Sequence, residues 1–431
     1  MKKFLYFLFF LSLGVTVLMW YSTSFGLLFG AKDEMFLYLG RIAGLLFQFF
    51  LLMQFVLIGR ITWIEKLFGH DELNALHRKN GFSLLVVLIC HPFFLVLSYA
   101  ALTERSLTQQ ILSFLGNDDV FQAILAVFIL LGTICLSMPF IRKKLKYEVW
   151  YLSHLTLYLA AFFAFEHQFI GGDFAKSWAV YFWYALNYTV FTLVAYYRFV
   201  RPIWNSLRQS FVVEKVVQEN ESTYSVYITG RNMKEFHFLP GQFAHFFFFG
   251  KGFWFAHPFS FSSTENGKNL RITVKNLGDY TSRISSLKAG TRVVIDGPLG
   301  RFVEVNPEQK KYLLIAGGIG ITPIFALFQD FEAKQKDIAF LYSNKTKDEL
   351  IFEKEIENLK GKKILFLSNV ENTQGFEEGR ITKEKIQALV PDFQEREVYI
   401  CGPTSMMKAI AAGLQELGLS KSQIHYEKFS Y

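Results

Sequence analysis

Six apolar runs in the first 200 residues constrain this chain more than any other feature. They cover 1–20, 36–58, 78–101, 120–140, 150–170 and 178–199. Each is close to the ~20 residues a helix needs to cross a hydrocarbon core. In lipid a spanning segment must satisfy its own backbone polar groups, so runs of this length predict helices. The expected architecture of the N-terminal half is therefore an all-α six-helix membrane bundle. The first run, MKKFLYFLFFLSLGVTVLMW, starts with charge as a secretory leader does. It continues to Trp20 without a small-x-small cleavage site and is read as a retained span.

Charge gives the bundle a direction. Lys2, Lys3, Arg60, Lys66, Arg78, Lys79, Arg142, Lys143, Lys144, Lys146, Arg198 and Arg201 fall on one side of the expected spans. The opposite loops, near 23–35, 102–119 and 171–177, carry few basic residues. The positive-inside rule places both termini in the cytoplasm, with the chain a multi-pass protein of the plasma membrane and the lipid bilayer its partner. The net charge of +8 is thus largely accounted for, and no basic, aromatic-interleaved patch points to nucleic acid. Three cysteines, Cys90, Cys135 and Cys401, show no metal-ligand spacing and no disulfide framework.

Four histidines stand out inside the apolar half: His77, His91, His154 and His167. They form two pairs, 14 and 13 residues apart. At ~1.5 Å rise per residue the imidazoles of each pair are separated by roughly 20 Å along the helix. Ionisable side chains within spans are costly, so two matched pairs read as a functional site. Side by side, the helices would offer an inner pair, His77 with His154, and an outer pair, His91 with His167. Two stacked bis-histidine haems would need that arrangement. A 14-residue spacing returns to within about 40° of one helical face, while 13 misses by roughly 140°, so the second pair needs a tilt or local distortion. Arg41 and Arg60 bracket the second span at the two depths, where an arginine fork would neutralise a haem propionate.

After Arg201-Pro202 the composition changes. Residues 211–305 alternate apolar and polar with Gly and Pro punctuation, predicting an antiparallel β-barrel. From Tyr312 the pattern becomes strand, glycine turn, helix, strand, predicting a parallel α/β sheet. The expected domains are 1–205, 206–308 and 309–431. Three motifs carry the chemistry here: His257-Pro258-Phe259-Ser260, then Lys275-Asn276-Leu277-Gly278-Asp279-Tyr280-Thr281, then Ala316-Gly317-Gly318-Ile319-Gly320-Ile321-Thr322-Pro323 with Cys401-Gly402-Pro403. The glycine run follows a strand and opens a helix, where bare amides can approach a pyrophosphate.

In this order the motifs resemble the ferredoxin-NADP reductase family, and the six spans with their histidine pairs resemble the ferric-reductase transmembrane domain. The whole chain resembles a bacterial member of the NADPH oxidase and ferric reductase superfamily. The resemblance implies FAD, NADPH and two b-type haems, the haems on His77, His91, His154 and His167. His257, Pro258, Phe259 and Ser260 match the segment that holds the flavin, with Phe259 on the isoalloxazine and Ser260 near its N5. Lys275 stands where the family usually has an arginine for the FAD pyrophosphate, and Gly278 to Thr281 match the turn that receives the phosphates. Gly317, Gly318, Gly320, Thr322 and Pro323 match the nicotinamide-nucleotide loop, and Cys401, Gly402 and Pro403 the segment near the nicotinamide. Tyr431, or Phe429, matches the terminal aromatic that covers the flavin.

Ser343-Asn344-Lys345 follows the second expected strand, where relatives bind the adenosine 2′-phosphate. A lysine there suits a phosphate and no acid suits a ribose hydroxyl, so NADPH is favoured over NADH. The implied path runs from NADPH through FAD to the inner and then the outer haem. From there it passes to O2 or another small extracellular acceptor, with no obligatory protein partner. Superoxide formation is the leading reading, and Arg41 matches an outer-haem arginine of the eukaryotic oxidases. Leu95 stands where those oxidases carry a further histidine, and ferric or cupric reduction by the same path is the alternative. The outer loops offer a metal ion only Glu104, Asp118, Asp119 and Asp173 as obvious attracting groups. A transporter with a regulatory nucleotide-binding domain would need neither the histidines nor the flavin motif.

Overall fold

The computed structural model describes residues 1–166, 168, 177–369 and 374–427, with nothing described for the side chains of Asp119, Tyr147 and Glu166. His167, Asp173, Phe429 and Tyr431 lie outside the described residues. The chain forms two compact units, Met1–Ile61 with Glu72–Tyr197, and Thr62–Asp71 with Arg198–Tyr431.

The first unit is helical. In chain order the helices are α1 (Lys2–Ser24), α2 (Lys32–Ile58), α3 (Thr62–Phe68), α4 (His70–Leu102), α5 (Leu107–Leu115), α6 (Asp118–Ser137), α7 (Pro139–Arg142), α8 (Tyr147–Glu166) and α9 (Ser177–Ala195). The short α3 and the first two residues of α4 belong to the second unit. All six expected spans contain helix. Among the described residues, four helices are long and apolar enough to cross a membrane: Lys2–Phe29, Lys32–Ile58, His70–Leu102 and Val120–Ser137. The six-span expectation is corrected to four on that measure, for a reason of side-chain content. Polar Glu148, Ser153, His154 and Thr156 interrupt α8, while α9 carries Asn187 and several Tyr and Trp. Both still pack into the bundle, α8 against α6 and α9 against α2.

The two faces of α4 show how the bundle is built. Leu84 and Leu88 are buried, while Phe82, Val86, Ile89 and Phe93 form an exposed apolar stripe at helical spacing. Around Leu84 and Leu88 the core takes Leu51, Leu52 and Phe55 from α2, Ala126 and Leu130 from α6, and Ala160, Ala161 and Ala164 from α8. Small side chains at such an interface let helices approach closely, which supplies packing that lipid alone does not drive.

The second unit continues from α10 (Arg201–Gln209) into two three-stranded antiparallel sheets. The first holds β1 (Val212–Asn220), β2 (Thr223–Thr229) and β5 (Asn269–Lys275), in the order β1-β2-β5. The second holds β3 (Phe243–Phe248), β4 (His257–Ser260) and β6 (Val293–Leu299), in the order β4-β3-β6. This is not the closed barrel that the alternation predicts. Only isolated bridges, Val212 with Arg292 and Phe261 with Ile272, link the two sheets among the described residues. One core serves both, including Val226, Ile228, Phe246, Phe248, Phe261, Ile272 and Ile295.

A six-stranded parallel sheet follows: β7 (Lys311–Gly317), β8 (Asp337–Asn344), β9 (Lys362–Leu367), β10 (Glu377–Glu378), β11 (Glu397–Cys401) and β12 (Ile424–Tyr426). The order is β10-β9-β8-β7-β11-β12, with α11 (Ile321–Ala333), α12 (Glu353–Asn358), α13 (Lys383–Leu389) and α14 (Thr404–Glu416) between strands. Both faces are buried, so the strands read as near-continuous apolar runs. Leu314, Ala316, Phe340, Tyr342 and Tyr399 serve one core, and Leu313, Ile315, Ala339, Leu341, Val398 and Ile400 the other.

Candidate functional site

The parallel sheet reverses its winding at β7. The chain runs outward through β8, β9 and β10, then returns to place β11 on the other side of β7. Ligands of such sheets bind beyond the carboxyl ends of the strands at the switch point, here the β7–α11 turn beside the β11–α14 turn. Two glycine motifs meet there without room for side chains. A Cβ on Gly320 would lie 2.4 Å from the Cys401 carbonyl oxygen and 2.6 Å from the Gly402 nitrogen. A Cβ on Gly402 would lie 3.1 Å from the Gly317 Cα, and Gly318 takes a left-handed φ of 53°. Pro403 caps α14 against the same turn, its Cδ 3.1 Å from the Gly317 Cβ position. Thr322 and Pro323 are buried in the first turn of α11, and the Thr322 hydroxyl donates to the Ile319 carbonyl at 3.1 Å.

One expectation about this crevice is corrected. Ser343 and Asn344 lie within β8 rather than after it, because the strand extends to keep Ser343 in register with Gly317. Lys345 is the first residue beyond that strand end. Cys401 presents its carbonyl to the glycine turn, but the side chain is buried in the core with Ala316 and Tyr342. Burial pushes the Cys401 thiol up, so it is a protonated core group.

The flavin motif is strand β4, paired antiparallel with β3: Phe243 opposite Ser260, Ala244 opposite Phe259, His245 opposite Pro258, Phe246 opposite His257. Alternation puts His257 and Phe259 on one face and Ser260 on the other. The His257 ring stacks on Tyr280, with centroids 3.5 Å apart and planes at 16°. The Tyr280 ring also lies 6.3 Å from that of Phe259, and its hydroxyl donates to the Phe246 carbonyl at 3.3 Å. Burial raises the Tyr280 phenol above its ordinary range, so it remains a donor. The sequence alone assigns Tyr280 no role of its own, yet its ring stacks on that of His257.

Lys275 ends β5 and pairs with Glu349 at 2.9 Å, both groups partly buried. The amides of Leu277 and Gly278 donate to the Thr281 hydroxyl oxygen at 2.8 and 3.0 Å, which shapes the turn expected to receive phosphates. Sequence reasoning also misses Arg271 on β5, which is buried. Its Nε and Nη2 donate to the Ser262 carbonyl at 3.2 and 2.8 Å, and its Nη1 meets Glu355 at 2.9 Å. Its guanidinium lies 4.4 Å from the Phe352 ring centroid. Arg271 therefore ties the antiparallel sheets to α12 of the nucleotide domain. The available signal is an arginine set between Leu270 and Ile272 within a strand.

In the helical unit the histidines can be tested for fit to a bis-histidine group. His91 Nδ1 lies 2.8 Å from the Gly40 carbonyl. A carbonyl only accepts, so Nδ1 carries the proton and Nε2 keeps its lone pair, the state a metal ligand requires. The ring fits because position 44 has no side chain; a Cβ on Gly44 would come within 2.7 Å of it. Gly40 and Gly44 form a small-xxx-small pair on α2, a packing signal that the sequence carries and the histidine spacing does not use. His154 Nδ1 similarly faces the Trp150 carbonyl at 3.2 Å, with Nε2 at 3.5 Å from the Ser137 hydroxyl. His77 Nδ1 is buried beside the Gln54 backbone, with the His154 ring within electrostatic range. These three fit axial ligation; His167 lies outside the described residues. Among those residues no group of three or more His, Cys, Asp and Glu could hold a metal ion, whereas a bis-histidine group asks only two of the protein. Arg41 Nη1 donates to the Ser24 hydroxyl at 3.3 Å, and Arg60 takes a left-handed φ of 53° just beyond α2.

Comparison with known proteins matches three family models to separate stretches of the chain. A model of the ferric reductase like transmembrane component matches residues 43–165, an FAD-binding domain 210–303 and an oxidoreductase NAD-binding domain 314–412. The glycine betaine monooxygenase reductase subunit of Chromohalobacter salexigens is 29% identical over 243 residues, 52% of this chain and 65% of that protein. Flavohemoprotein A of Dictyostelium discoideum is 29% identical over 246 residues, 52% of this chain and 61% of that protein. The chain thus spans less than two thirds of these two relatives. The electron transfer subunit of dihydroorotate dehydrogenase B from Fusobacterium nucleatum is 31% identical over 213 residues, 48% of this chain and 80% of that protein. Among solved structures, the FAD/NAD-binding domain of nitric oxide dioxygenase from Vibrio cholerae superposes with a TM-score of 0.46 at 24% identity, covering 50% of this chain and 96% of that one. The chain therefore carries an FAD-binding domain followed by an oxidoreductase NAD-binding domain. With a ferric-reductase-like transmembrane domain ahead of them in one polypeptide, the chain belongs to the family with the ferric reductase / NADPH oxidase-like architecture.

Proposed function

We propose that the protein is a transmembrane NADPH oxidase, taking electrons from NADPH, with FAD and two b-type haems as carriers, and delivering them to extracellular O2 as superoxide. The observation that carries the reading is the His91–Gly40 hydrogen bond over Gly44. It holds a histidine inside a spanning helix in the tautomer a metal ligand needs, in a chain that also carries a flavin and nucleotide module. When bound, FAD supplies the conversion of a hydride into single electrons, and the haems supply one-electron relays through the low-dielectric core.

The residues have separable tasks. The Gly317–Gly320 turn and Gly402 let backbone approach the dinucleotide phosphates, and the N-terminus of α11 faces them. Lys345 offers a point charge to a 2′-phosphate. His257 and Phe259 present one face of β4 to the flavin, with Tyr280 stacked on the His257 ring. Lys275 offers its charge to the FAD pyrophosphate from a site where Glu349 now pairs with it. His77 with His154 would hold the inner haem, and His91 with His167 the outer, with Arg60 and Arg41 at the respective propionate depths. The terminal aromatics Tyr431 and Phe429 remain the proposed flavin cover. No side-chain acid or base is required in the membrane.

Ferric or cupric reduction by the same path is the second reading, favoured by Leu95 on the outer side of α4, next to Gly40. Two assays on the purified full chain separate them: superoxide-dismutase-sensitive cytochrome c reduction in air, and Fe(III) reduction without oxygen. Dismutase-sensitive activity that exceeds Fe(III) reduction supports the oxidase. Fe(III) reduction with no superoxide would replace it by the reductase.

A further inference from the structure

The reductase unit begins on a helix with two very different faces. One face of α10 is locked to β6. Pro202 and Gln209 are buried, Ser206 donates to the Val293 carbonyl at 3.4 Å, and Arg201 Nη2 donates to the Gly297 carbonyl at 3.2 Å. The other face is apolar and open. Val200, at the N-cap, and Ile203, Trp204 and Leu207 are between 52% and 70% exposed. Their spacing, i, i+3, i+4 and i+7, draws them into one stripe along a helix. Four large apolar side chains in a row form the kind of patch that water-facing surfaces avoid and that marks an interaction site.

The chain itself says what should cover it. Val194, near the end of α9, has its Cγ2 3.2 Å from the Cβ position of Gly59, the residue that ends α2. α2 is one of the helices long and apolar enough to cross a membrane, so α9 ends level with a membrane face. α10 starts seven residues after Val194, which at helical rise is about 10 Å of chain. Charge agrees with that placement. A recess of about 340 Å³ is lined by the exposed Arg231, Lys234 and Lys268. It is joined to the end of α10 by the Arg231 amide, which donates to the Gln209 carbonyl at 2.6 Å, and by the Arg208–Glu235 ion pair at 2.6 Å. Basic side chains flanking an apolar stripe are what an in-plane helix needs at an anionic lipid surface.

We propose that α10 is an in-plane membrane anchor. Its Val200–Leu207 stripe lies in the interface of the leaflet that faces the reductase unit, and Arg231, Lys234 and Lys268 meet the phosphates of anionic lipids. The flavin module is then held at the bilayer by this helix as well as by its covalent link to the bundle.

The test uses the full chain with Cys90→Ser and Cys135→Ser, Cys401 being buried. Single substitutions Ile203→Cys, Trp204→Cys and Leu207→Cys carry a nitroxide label, with Glu221→Cys as a water-exposed control. The protein is reconstituted in phosphatidylcholine bilayers with and without phosphatidylglycerol, and label collisions with O2 and with a water-soluble nickel chelate are measured. The three helix labels are expected to give an O2-to-nickel ratio several-fold above the control, higher still with phosphatidylglycerol. The triple change Arg231→Gln, Lys234→Gln and Lys268→Gln should remove the phosphatidylglycerol increment while NADPH oxidation stays unchanged. Ratios equal to the control in both bilayers would overturn the anchor. Labels shielded from both probes would also overturn it, since a protein surface or second copy would then cover the stripe. An increment that survives the triple change would overturn the assignment of those three residues to lipid phosphates.

Discussion

Replacing Gly44 with alanine should cost the protein its outer haem while leaving the bundle folded. The new Cβ would sit 2.7 Å from both Cε1 and Nδ1 of His91, where an unstrained contact needs about 3.5 Å. The ring must therefore retreat by roughly 0.8 Å, or α2 and α4 must separate. Either movement breaks the 2.8 Å contact between His91 Nδ1 and the Gly40 carbonyl. The lost hydrogen bond is worth about 1 kcal/mol and the overpacking about 1–3 kcal/mol. Losing the group that orients a metal-ligating histidine typically lowers affinity by about 10–100-fold. The assay is haem content per chain by pyridine haemochrome, with low-spin signals followed by electron paramagnetic resonance. Haem should fall from two per chain toward one, with the outer signal lost, while NADPH still reduces the flavin. Gly14→Ala is the control, since no atom lies within 4 Å of its Cβ position. Two haems and unchanged signals in Gly44→Ala would refute the link between the Gly40–Gly44 pair and His91.

Three further substitutions probe the reductase unit. Gly320→Ala drives a Cβ to 2.4 Å from the Cys401 carbonyl oxygen, and backbone on that side cannot swing away. NADPH affinity, read from the concentration dependence of flavin reduction, should drop about tenfold or more while FAD content is kept, the loss that ~1.4 kcal/mol produces. Arg271→Leu removes the donors to Ser262, the pair with Glu355 and the guanidinium over the Phe352 ring. It should cost about 2–3 kcal/mol, seen as a lower denaturant midpoint of the flavin signal. Glu427 is buried beside Gly300, and burial, then Asp71 and Glu65, raise its carboxyl from 4.5 to about 8, against Arg301. Between pH 4.5 and about 8 the folded state holds a proton that the unfolded chain releases. This contribution to stability is thus full below pH 4.5 and lost as pH rises through about 8. Glu427→Gln should flatten that decline in a series of denaturant midpoints against pH; an equally steep fall in the variant would remove Glu427 as its source.

The large divisions of the chain are legible in the sequence because each carries its own periodicity. Apolar runs of spanning length mark the helices, and strands buried on both faces in β7, β8 and β11 mark a parallel sheet. Closure of the flavin domain is not legible. Alternation predicts a buried face but does not say whether sheet edges join, and here only single bridges at Val212 and Phe261 do so among the described residues. The polar content of α8 and α9 is visible in the residues, yet run length alone suggests spans equal to the others. Motif glycines announce places of close approach, as Gly320 and Gly402 bear out. Gly40 and Gly44 announce nothing by themselves, because they serve a histidine 47 or more residues away. Tyr280 and Arg271 belong to the same class: their partners, His257 and Glu355, come from other elements, and spacing along one strand or turn does not reveal them.

The proposed function requires one polypeptide to move electrons from NADPH through flavin to haem in the membrane. Anaerobic titration of the purified full chain, loaded with FAD and haem, follows that transfer step by step. With NADPH, flavin absorbance should bleach and the reduced bands of low-spin b-type haem should rise, two haems per chain. A protein that bleaches its flavin but binds no haem, or binds haem that NADPH never reduces, would rule out this electron path.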